Sequence, residues 1–294
     1  MSGYLIAVLN MAGIYYLLAL GLNLHYGYTG LINFGHVGFF AIGAYVSGLL
    51  SISGLPIVLA TCAGISAAAA LAYPIGLTSL RLKEEYLAIV TLGLAEIIRI
   101  IIISEGWLTN GVRGIPGVPR PFASLGIGAG AEPAFLALVL VCCVAATLFV
   151  LIVVKSPFGR LIQAIRDDEH AVRALGKNPA KHKTKVLVIG AALAGLAGAL
   201  YSQYLTYISP DQFMSILTFY IWMAIIMGGT GSIAGSVVGT AILITFLEGS
   251  RIARDFIPFV TDVQMASLRL ALLGVLLIAF MRYAPEGIMG RMRR

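Results

Sequence analysis

Few residues in this sequence have side chains that could do chemistry, and they stand in an apolar background. Glu96 and Arg99 lie three residues apart inside an apolar run, so both can face the same side of one helix. Such a pair either forms a salt bridge that holds helices together or lines a route for a zwitterionic solute. His25 and His36 are isolated, and no Ser/His/Asp, Cys/His or metal-ligand arrangement can be read. We therefore predict no catalytic residue, no metal site and no cofactor.

A glycine-rich stretch at residues 27–45 is the second candidate site. It reads GYTGLINFGHVGFFAIGAY and places five glycines around Asn33 and His36. The glycines either let two helices approach closely or break a helix so that freed backbone groups line a cavity. A similar pattern, TGSIAGSVVG at 230–239, suggests an internal repeat. The candidate pathway residues are Asn33, His36, Thr91, Glu96 and Arg99.

The composition predicts that membrane-spanning helices position these residues. Hydrophobic residues make up 59% of the 294-residue chain and charged residues 11%, whereas soluble domains carry about 25% charged residues. The apolar runs are long enough for helices, which need roughly 20 residues to cross a bilayer, and do not alternate as barrel strands do. We predict an all-α polytopic membrane protein with about eight to ten transmembrane helices, in which one or two Gly-rich segments are either broken or re-entrant. Candidate spans lie at residues 4–24, 28–52, 55–80, 86–106, 133–154, 185–208, 213–228, 233–250 and 265–283.

Basic residues are distributed unevenly between alternate loops. Fourteen of the 20 Lys and Arg lie at 81–83, within 155–185 or after residue 281, all on one side if the spans alternate, and four lie on the other. The positive-inside rule then makes the polar segment and the C-terminus cytoplasmic, and residues 107–132 extracytoplasmic. The N-terminus faces outward if 28–52 is a full span, and inward if that segment is re-entrant. We expect a multi-pass protein of the inner or plasma membrane that meets lipid and no nucleic acid.

The most polar segment, residues 155–184, contains signals for short helices. Ser156 can cap a first helix, and Asp167 can cap a second one that stops at Gly176. Asn178 then starts a helix that runs into the next span. The segment is either a solvated loop with helical tendency or a docking element for a cytoplasmic partner.

The sequence contains no recognisable nucleotide-binding motif. The phosphate-binding pattern G-x-x-x-x-G-K-[ST] is not matched, since the only Gly-Lys pair, Gly176-Lys177, is followed by Asn178. Transport against a gradient would therefore depend on an ion gradient or on a separate ATPase.

The loop at residues 107–132 is rich in turn-forming residues. Three prolines fall between 116 and 121, which favours an ordered lid that meets a soluble binding protein, or a plain connection. We expect Trp107 and Trp222 at the membrane interfaces, and Glu248 near a span end or beside a neighbouring subunit.

Several stretches together resemble the permease subunits of branched-chain amino-acid ABC importers, over nearly the whole chain. The match is closer to the M-type (LivM) member of the permease pair than to the H-type (LivH). The stretches that carry it are GLNLHYGYTGLINFGHVGFFAIGAYVSGLL (21–50), EEYLAIVTLGLAEIIRI (84–100), LTNGVRGIPGVPRP (108–121), AIRDDEHAVRALGKNPAKHKTKVLVIGAALAGLAGALY (164–201), MGGTGSIAGSVVGTAIL (227–243) and APEGIMG (284–290).

The resemblance implies that the polar segment is a coupling loop of the EAA type. In such a loop Glu169, Ala171 and Gly176 match the family pattern, while Val172 replaces its second alanine. The implied partners are a second, LivH-type permease subunit, two cytoplasmic ATP-binding subunits and an extracytoplasmic substrate-binding protein. The implied cargo is a branched-chain or other neutral amino acid, or a small amide such as urea. The implied coupling residues are Arg166, Asp167, Asp168, Glu169, Ala171, Gly176 and Lys177.

An ion-coupled secondary transporter that works without an ATPase is the alternative. It would need carboxylates at mid-membrane to carry the ion, and Glu96 is the clear candidate. Both alternatives treat residues 1–294 as a single transmembrane domain.

Overall fold

A computed structural model describes residues 2–79, 84–122, 131–255, 262–284 and 286–289. These residues form helices α1 to α12 and one antiparallel pair of short strands, in which Ile115 lies opposite Ile208. The strands are β1 (Ile115–Pro116) and β2 (Tyr207–Ile208). The helices are α1 (Ser2–Thr29), α2 (His36–Ile52), α3 (Ile57–Ser79), α4 (Glu84–Ser104), α5 (Gly106–Thr109), α6 (Ala131–Lys155), α7 (Pro157–Asp167), α8 (Glu169–Ala174), α9 (Pro179–Leu205), α10 (Ile216–Gly228), α11 (Ile233–Asp255) and α12 (Asp262–Tyr283).

The predicted all-α polytopic membrane fold is confirmed. Six helices of the described chain are long and apolar enough to cross a membrane, and α2, α10 and part of α12 are apolar but shorter. Each predicted span corresponds to one of these helices. The predicted boundary between the first two spans was wrong, because α1 continues to Thr29 and the chain breaks at 30–35.

The core is organised around α9. In the apolar stretch of α9, 78% of the residues are buried, against 22% in that of α6. Glycines allow this close packing. A Cβ atom at Gly43 of α2 would lie 2.3 Å from the carbonyl oxygen of Gly195, and one at Gly198 would lie 2.1 Å from that of Phe40. The close-approach interpretation of the glycine-rich stretch is therefore correct for its second half.

One end of the bundle, which we call the polar end, carries α7, α8 and several helix termini. Here α1 ends, α9 begins, and α10 gives way to α11 through Gly231, which lies against Gly27 of α1. The chain returns to this end after α12, where Ile288 N donates to Met227 O (3.0 Å) and Met289 N to Gly228 O (2.8 Å). Residues 288 and 289 thus share an end with the polar segment.

The opposite end, which we call the strand end, carries β1, β2 and the described part of the 107–132 loop. After α5, Asn110 adopts a left-handed backbone (φ 61°) and leads into a turn of 3-10 helix and then β1. Arg120 Nη2 donates to Tyr204 O at 2.9 Å, which holds the loop against the end of α9. Residues 107–122 are thus attached to the end of α9, and residues 123–130 lie outside the described ranges.

Candidate functional site

The helices of the polar segment begin at capping residues. Ser156 precedes Pro157 and accepts a hydrogen bond from Gly159 N (3.2 Å), as the sequence predicts. At the other boundary Asn178 caps α9 and accepts from Lys181 N (3.3 Å). Local sequence therefore determines where α7 and α9 start.

The cap of α8 is Asp168, and the prediction of Asp167 was wrong. Asp167 is the last residue of α7, whereas Asp168 has an extended backbone and accepts from Ala171 N at 3.0 Å. A capping side chain must stand on the residue that precedes the first helical one, and the break falls one residue later than expected. Asp168 thus ends α7 and starts α8.

A reverse turn at Gly176 closes α8. Gly176 has φ +73°, its N–H donates to Arg173 O (2.9 Å), and Lys177 N donates to Val172 O (3.3 Å). This pair of bonds is a Schellman motif, in which glycine is favoured because it has no Cβ. The predicted stop is confirmed. Open space surrounds the position that a Cβ at Gly176 would take, with no atom within 4 Å, so the need for glycine here is conformational.

Glu169 ties α8 to α9. Its carboxylate accepts from Arg173 one turn along α8 and from Lys183 Nζ at 2.7 Å on α9. Burial would raise the pKa of the Glu169 carboxyl, but Lys183 and Arg173 outweigh that effect and hold the pKa below its usual value. Val172, which replaces the second alanine, is 4% exposed. Glu169 therefore acts as an internal brace between the two helices.

The tip of α8 presents an apolar residue to its surroundings. Leu175 is 78% exposed, although it follows the buried Val172 by only three residues. Ala171, Gly176 and Lys177 are exposed around it. Leu175 therefore stands at the end of α8 without being buried by the described chain.

Arg166 joins α7 to the end of α1. Its guanidinium group donates to the main-chain carbonyl of Gly27, and Gly30 lies against its aliphatic chain. Gly231, in the turn between α10 and α11, packs on the same guanidinium group and donates its N–H to Asn23 Oδ1 (2.9 Å). The two similar glycine motifs of the sequence therefore meet beneath a single side chain of α7.

Asn33 organises the break between α1 and α2. Its Oδ1 accepts from Gly35 N (2.9 Å), and its Nδ2 lies 3.2 Å from His25 Nδ1. Trp222 Nε1 donates to Asn33 O at 3.0 Å. Thr91 Oγ1 accepts from Phe34 N at 3.1 Å. The predicted helix break is thus present at residues 30–35. Asn33 O and Phe34 N do not line a cavity as that interpretation expected, because they are bonded to Trp222 and Thr91 of neighbouring helices.

His25 and His36 form a buried pair beside this break. Their rings meet edge to face with centroids 5.3 Å apart. His25 Nε2 lies 3.2 Å from Leu187 O, whereas neither ring nitrogen of His36 has a hydrogen-bond partner of normal geometry in the described chain. Gly190 faces the His25 ring so closely that a Cβ there would lie 2.1 Å from Nε2. The His25 ring therefore occupies space that is available because α9 has glycine at position 190.

Glu96 and Arg99 form the salt bridge predicted from their spacing. Arg99 Nε donates to Glu96 Oε1 at 2.9 Å. The pair lies further along α4 than Thr91, beside Ser215 and within electrostatic range of Asp211. Asn33, His36 and Thr91 therefore belong to one cluster, and Glu96 and Arg99 to another nearer the strand end.

Sequence reasoning missed several residues that the structure places at these sites. Trp222 was expected at an interface but is 7% exposed and packs on Tyr26 and Phe34, with ring centroids 4.5 and 5.2 Å away. Asp211 and Glu248 line one cavity near the strand end. The available signal was Glu248 itself, since a carboxylate inside an apolar span is a functional candidate by default.

Comparisons with known proteins show which family the chain belongs to. Residues 4–281 match the family model described as "Branched-chain amino acid transport system / permease component". The chain belongs to this permease family. The permease is 34% identical to the high-affinity branched-chain amino acid transport system permease protein LivM of Escherichia coli (strain K12), over 97% of this chain and 69% of that protein.

The match to two further relatives covers most of the length of those proteins. The permease is 28% identical to the probable branched-chain amino acid transport permease protein LivM of Methanocaldococcus jannaschii, over 96% of this chain and 92% of that protein. It is 27% identical to the LivH permease protein of Salmonella typhimurium, over 96% of this chain and 93% of that protein. The LivM relative from Escherichia coli is thus more similar than the LivH one, as expected from the sequence. No solved structure matches this permease.

Proposed function

We propose that this permease is a transmembrane subunit of an ABC importer that moves branched-chain or other neutral amino acids by alternating access. Partner ATPase subunits would bind the polar end and hydrolyse ATP, while this chain would do no covalent chemistry. The observation that carries the proposal is the contact of Arg166 with Gly27, which connects the capped polar segment directly to a break between membrane helices.

The polar segment is suited to transmit movement as one piece. Asp168 and Gly176 limit α8 at both ends, and Glu169 braces it against Lys183 of α9. Leu175 is exposed at the tip, where it could enter a groove on an ATPase. A push on this tip would reach Arg166 through α7, because the two helices share Asp168 as their junction.

The break at 30–35 is suited to act as a hinge near the pathway. Asn33 bonds to His25 and Gly35, so its side chain connects α1 with the start of α2. A hinge at a helix terminus absorbs a backbone change without breaking a continuous helical ladder. Asn33, His36 and Thr91 are the residues whose surroundings would change when the permease opens and closes.

The proposed orientation puts the polar end in the cytoplasm and the strand end outside. The eight basic residues between Lys155 and Lys185 lie at the polar end, in agreement with the positive-inside rule. A LivH-type second permease would pair with this chain within the membrane, and a substrate-binding protein would dock at the strand end, where the 107–122 segment is ordered.

Reconstitution tests the proposed function directly. The permease, its second permease chain and the ATPases would be co-purified, placed in proteoliposomes with the binding protein, and assayed for uptake of labelled leucine. We expect accumulation that requires ATP hydrolysis and persists when the proton gradient is collapsed. Accumulation by this chain alone, driven by an ion gradient, would show an ion-coupled transporter and contradict the proposal.

A further inference from the structure

A cavity of about 370 Å³ opens near the strand end, between α1, α9, α10 and α11. Its size falls within the range of small-molecule sites, roughly 300–1,000 Å³. Two carboxylates, Asp211 and Glu248, belong to its wall, and the described residues that line it include no lysine or arginine. The charged groups of the wall are therefore all acidic.

The two carboxylates are held by different elements. Glu248, on α11, accepts a hydrogen bond from the Tyr4 hydroxyl at 2.9 Å. Asp211 is exposed on a 3-10 turn that Ser209 and Gln212 stabilise through a reciprocal capping box. Arg99 lies within electrostatic range of Asp211, but its guanidinium group is already paired with Glu96. The wall is therefore suited to a cationic group.

A tyrosine hydroxyl also belongs to this cavity. Tyr201 is 7% exposed, and its side chain lines the cavity. Its ring is held between Phe40 and Phe213, with centroids 5.1 and 6.0 Å away. A tyrosine hydroxyl in the wall of a cavity can donate a hydrogen bond to a ligand that carries an acceptor.

The rest of the wall is largely apolar. Side chains from three helices contribute to it, at Met11, Leu217, Ile244 and Leu247. Such a surface favours an aliphatic group, because burying it removes apolar area from water.

We propose that this cavity binds the zwitterionic backbone and aliphatic side chain of a neutral amino acid, with Asp211 and Glu248 receiving the ammonium group and Tyr201 donating to the carboxylate. The inference rests on the proposed import function and adds that the permease itself selects for the ammonium group. Urea and short amides have no cationic group, so the site disfavours them.

Direct binding tests this site without any ATPase. The purified full-length permease in lipid nanodiscs would be titrated with radiolabelled L-leucine, with 3-methylbutylamine and 4-methylpentanoate as competitors. We expect the amine, which keeps the ammonium group, to displace leucine at least about tenfold more effectively than the acid, the factor that one charge-assisted hydrogen bond supplies.

Matched variants locate the binding. Asp211→Asn and Glu248→Gln are each expected to weaken leucine binding about tenfold or more, while Glu132→Gln, a carboxylate at the start of α6 and outside the cavity, leaves it unchanged. Asp211→Asn alters an exposed turn and keeps the test valid if Glu248→Gln fails to fold. Wild-type affinity in Asp211→Asn, equal competition by the acid, or no binding of leucine overturns the site.

The two proposals fail in different ways. Leucine binding without ATP-driven uptake would refute the importer and leave the site standing. ATP-driven uptake that is unchanged in folded Asp211→Asn and Glu248→Gln would refute the site and leave the importer standing.

Discussion

The guanidinium group of Arg166 on α7 donates a hydrogen bond to the main-chain carbonyl of Gly27 in the last turn of α1. The final carbonyl groups of a helix have no partner within the helix and carry partial negative charge, so a cation there is stabilising. Gly231, in the turn between α10 and α11, packs on the same guanidinium group. Arg166 therefore contacts both the end of α1 and the turn between α10 and α11.

Replacing Arg166 by alanine should separate ATP hydrolysis from uptake. The variant loses a charge-assisted hydrogen bond and the contact with Gly30, so we expect uptake in proteoliposomes to fall about tenfold while ATP hydrolysis continues. Arg160→Ala, on the same helix and exposed, is the control and should transport normally. Equal uptake by wild type and Arg166→Ala would contradict the coupling role.

Placing a methyl group at Gly190 should destabilise the permease. The new Cβ would stand 2.1 Å from His25 Nε2, so either the His25 ring or α9 has to move. We expect a loss of about 1–3 kcal/mol, seen as a lower Tm in detergent. Gly93→Ala provides the control, since no neighbouring atom lies within 4 Å of its Cβ position. An unchanged Tm for Gly190→Ala would mean that the histidine pair is loosely packed.

The residue at position 176 should matter for its backbone conformation and not for its size. Gly176 has φ +73° and open space around it. Gly176→Val should therefore cost about 1–2 kcal/mol locally and reduce uptake, whereas Gly176→Asn, which tolerates this conformation, should retain most of it. Measuring uptake and ATP hydrolysis together separates loss of coupling from loss of protein. Equal behaviour of the two variants would argue against the conformational explanation.

Acid should loosen α8 through Glu169. The folded-state pKa of its carboxyl is lowered, so its stabilising contribution is present above the ordinary value of 4.5 and is lost as the pH falls through the lower folded-state value. Hydrogen exchange of the amides at 169–175, compared between about pH 7 and about pH 3, should show protection that decreases in acid.

Glu169→Gln is the control for this acid effect. It should show low protection at both pH values, because it cannot form the ion pairs with Arg173 and Lys183. If Glu169→Gln lost protection over the same pH range as wild type, the acid effect would have to come from another group.

Much of the fold could be predicted because it depends on local signals. Apolar runs of bilayer length located the helices, and the caps Ser156 and Asn178 located the starts of α7 and α9. The cap of α8 was misplaced by one residue, since Asp167 and Asp168 have equal intrinsic preference for the position. Which aspartate is used depends on where α7 ends.

The candidate pathway was only partly predictable. Asn33, His36 and Thr91 do meet, whereas Glu96 and Arg99 pair with each other elsewhere. Trp222 reaches the break from a distant helix, and its 3.0 Å bond to Asn33 O has no local signal. Residues 27–45 contain both a helix break and a close contact between helices. Glycine favours both, so its presence alone did not tell which of the two occurs at a given position.

By itself, the sequence determined that the chain is a polytopic helical membrane protein with a capped polar segment, because hydropathy, charge and capping act over a few residues at a time. Only the tertiary structure decided that Arg166 reaches Gly27, that the two glycine motifs meet, and that Asp211 and Glu248 face one cavity. Those contacts join residues from different helices, and their positions depend on how closely glycine lets the helices pack.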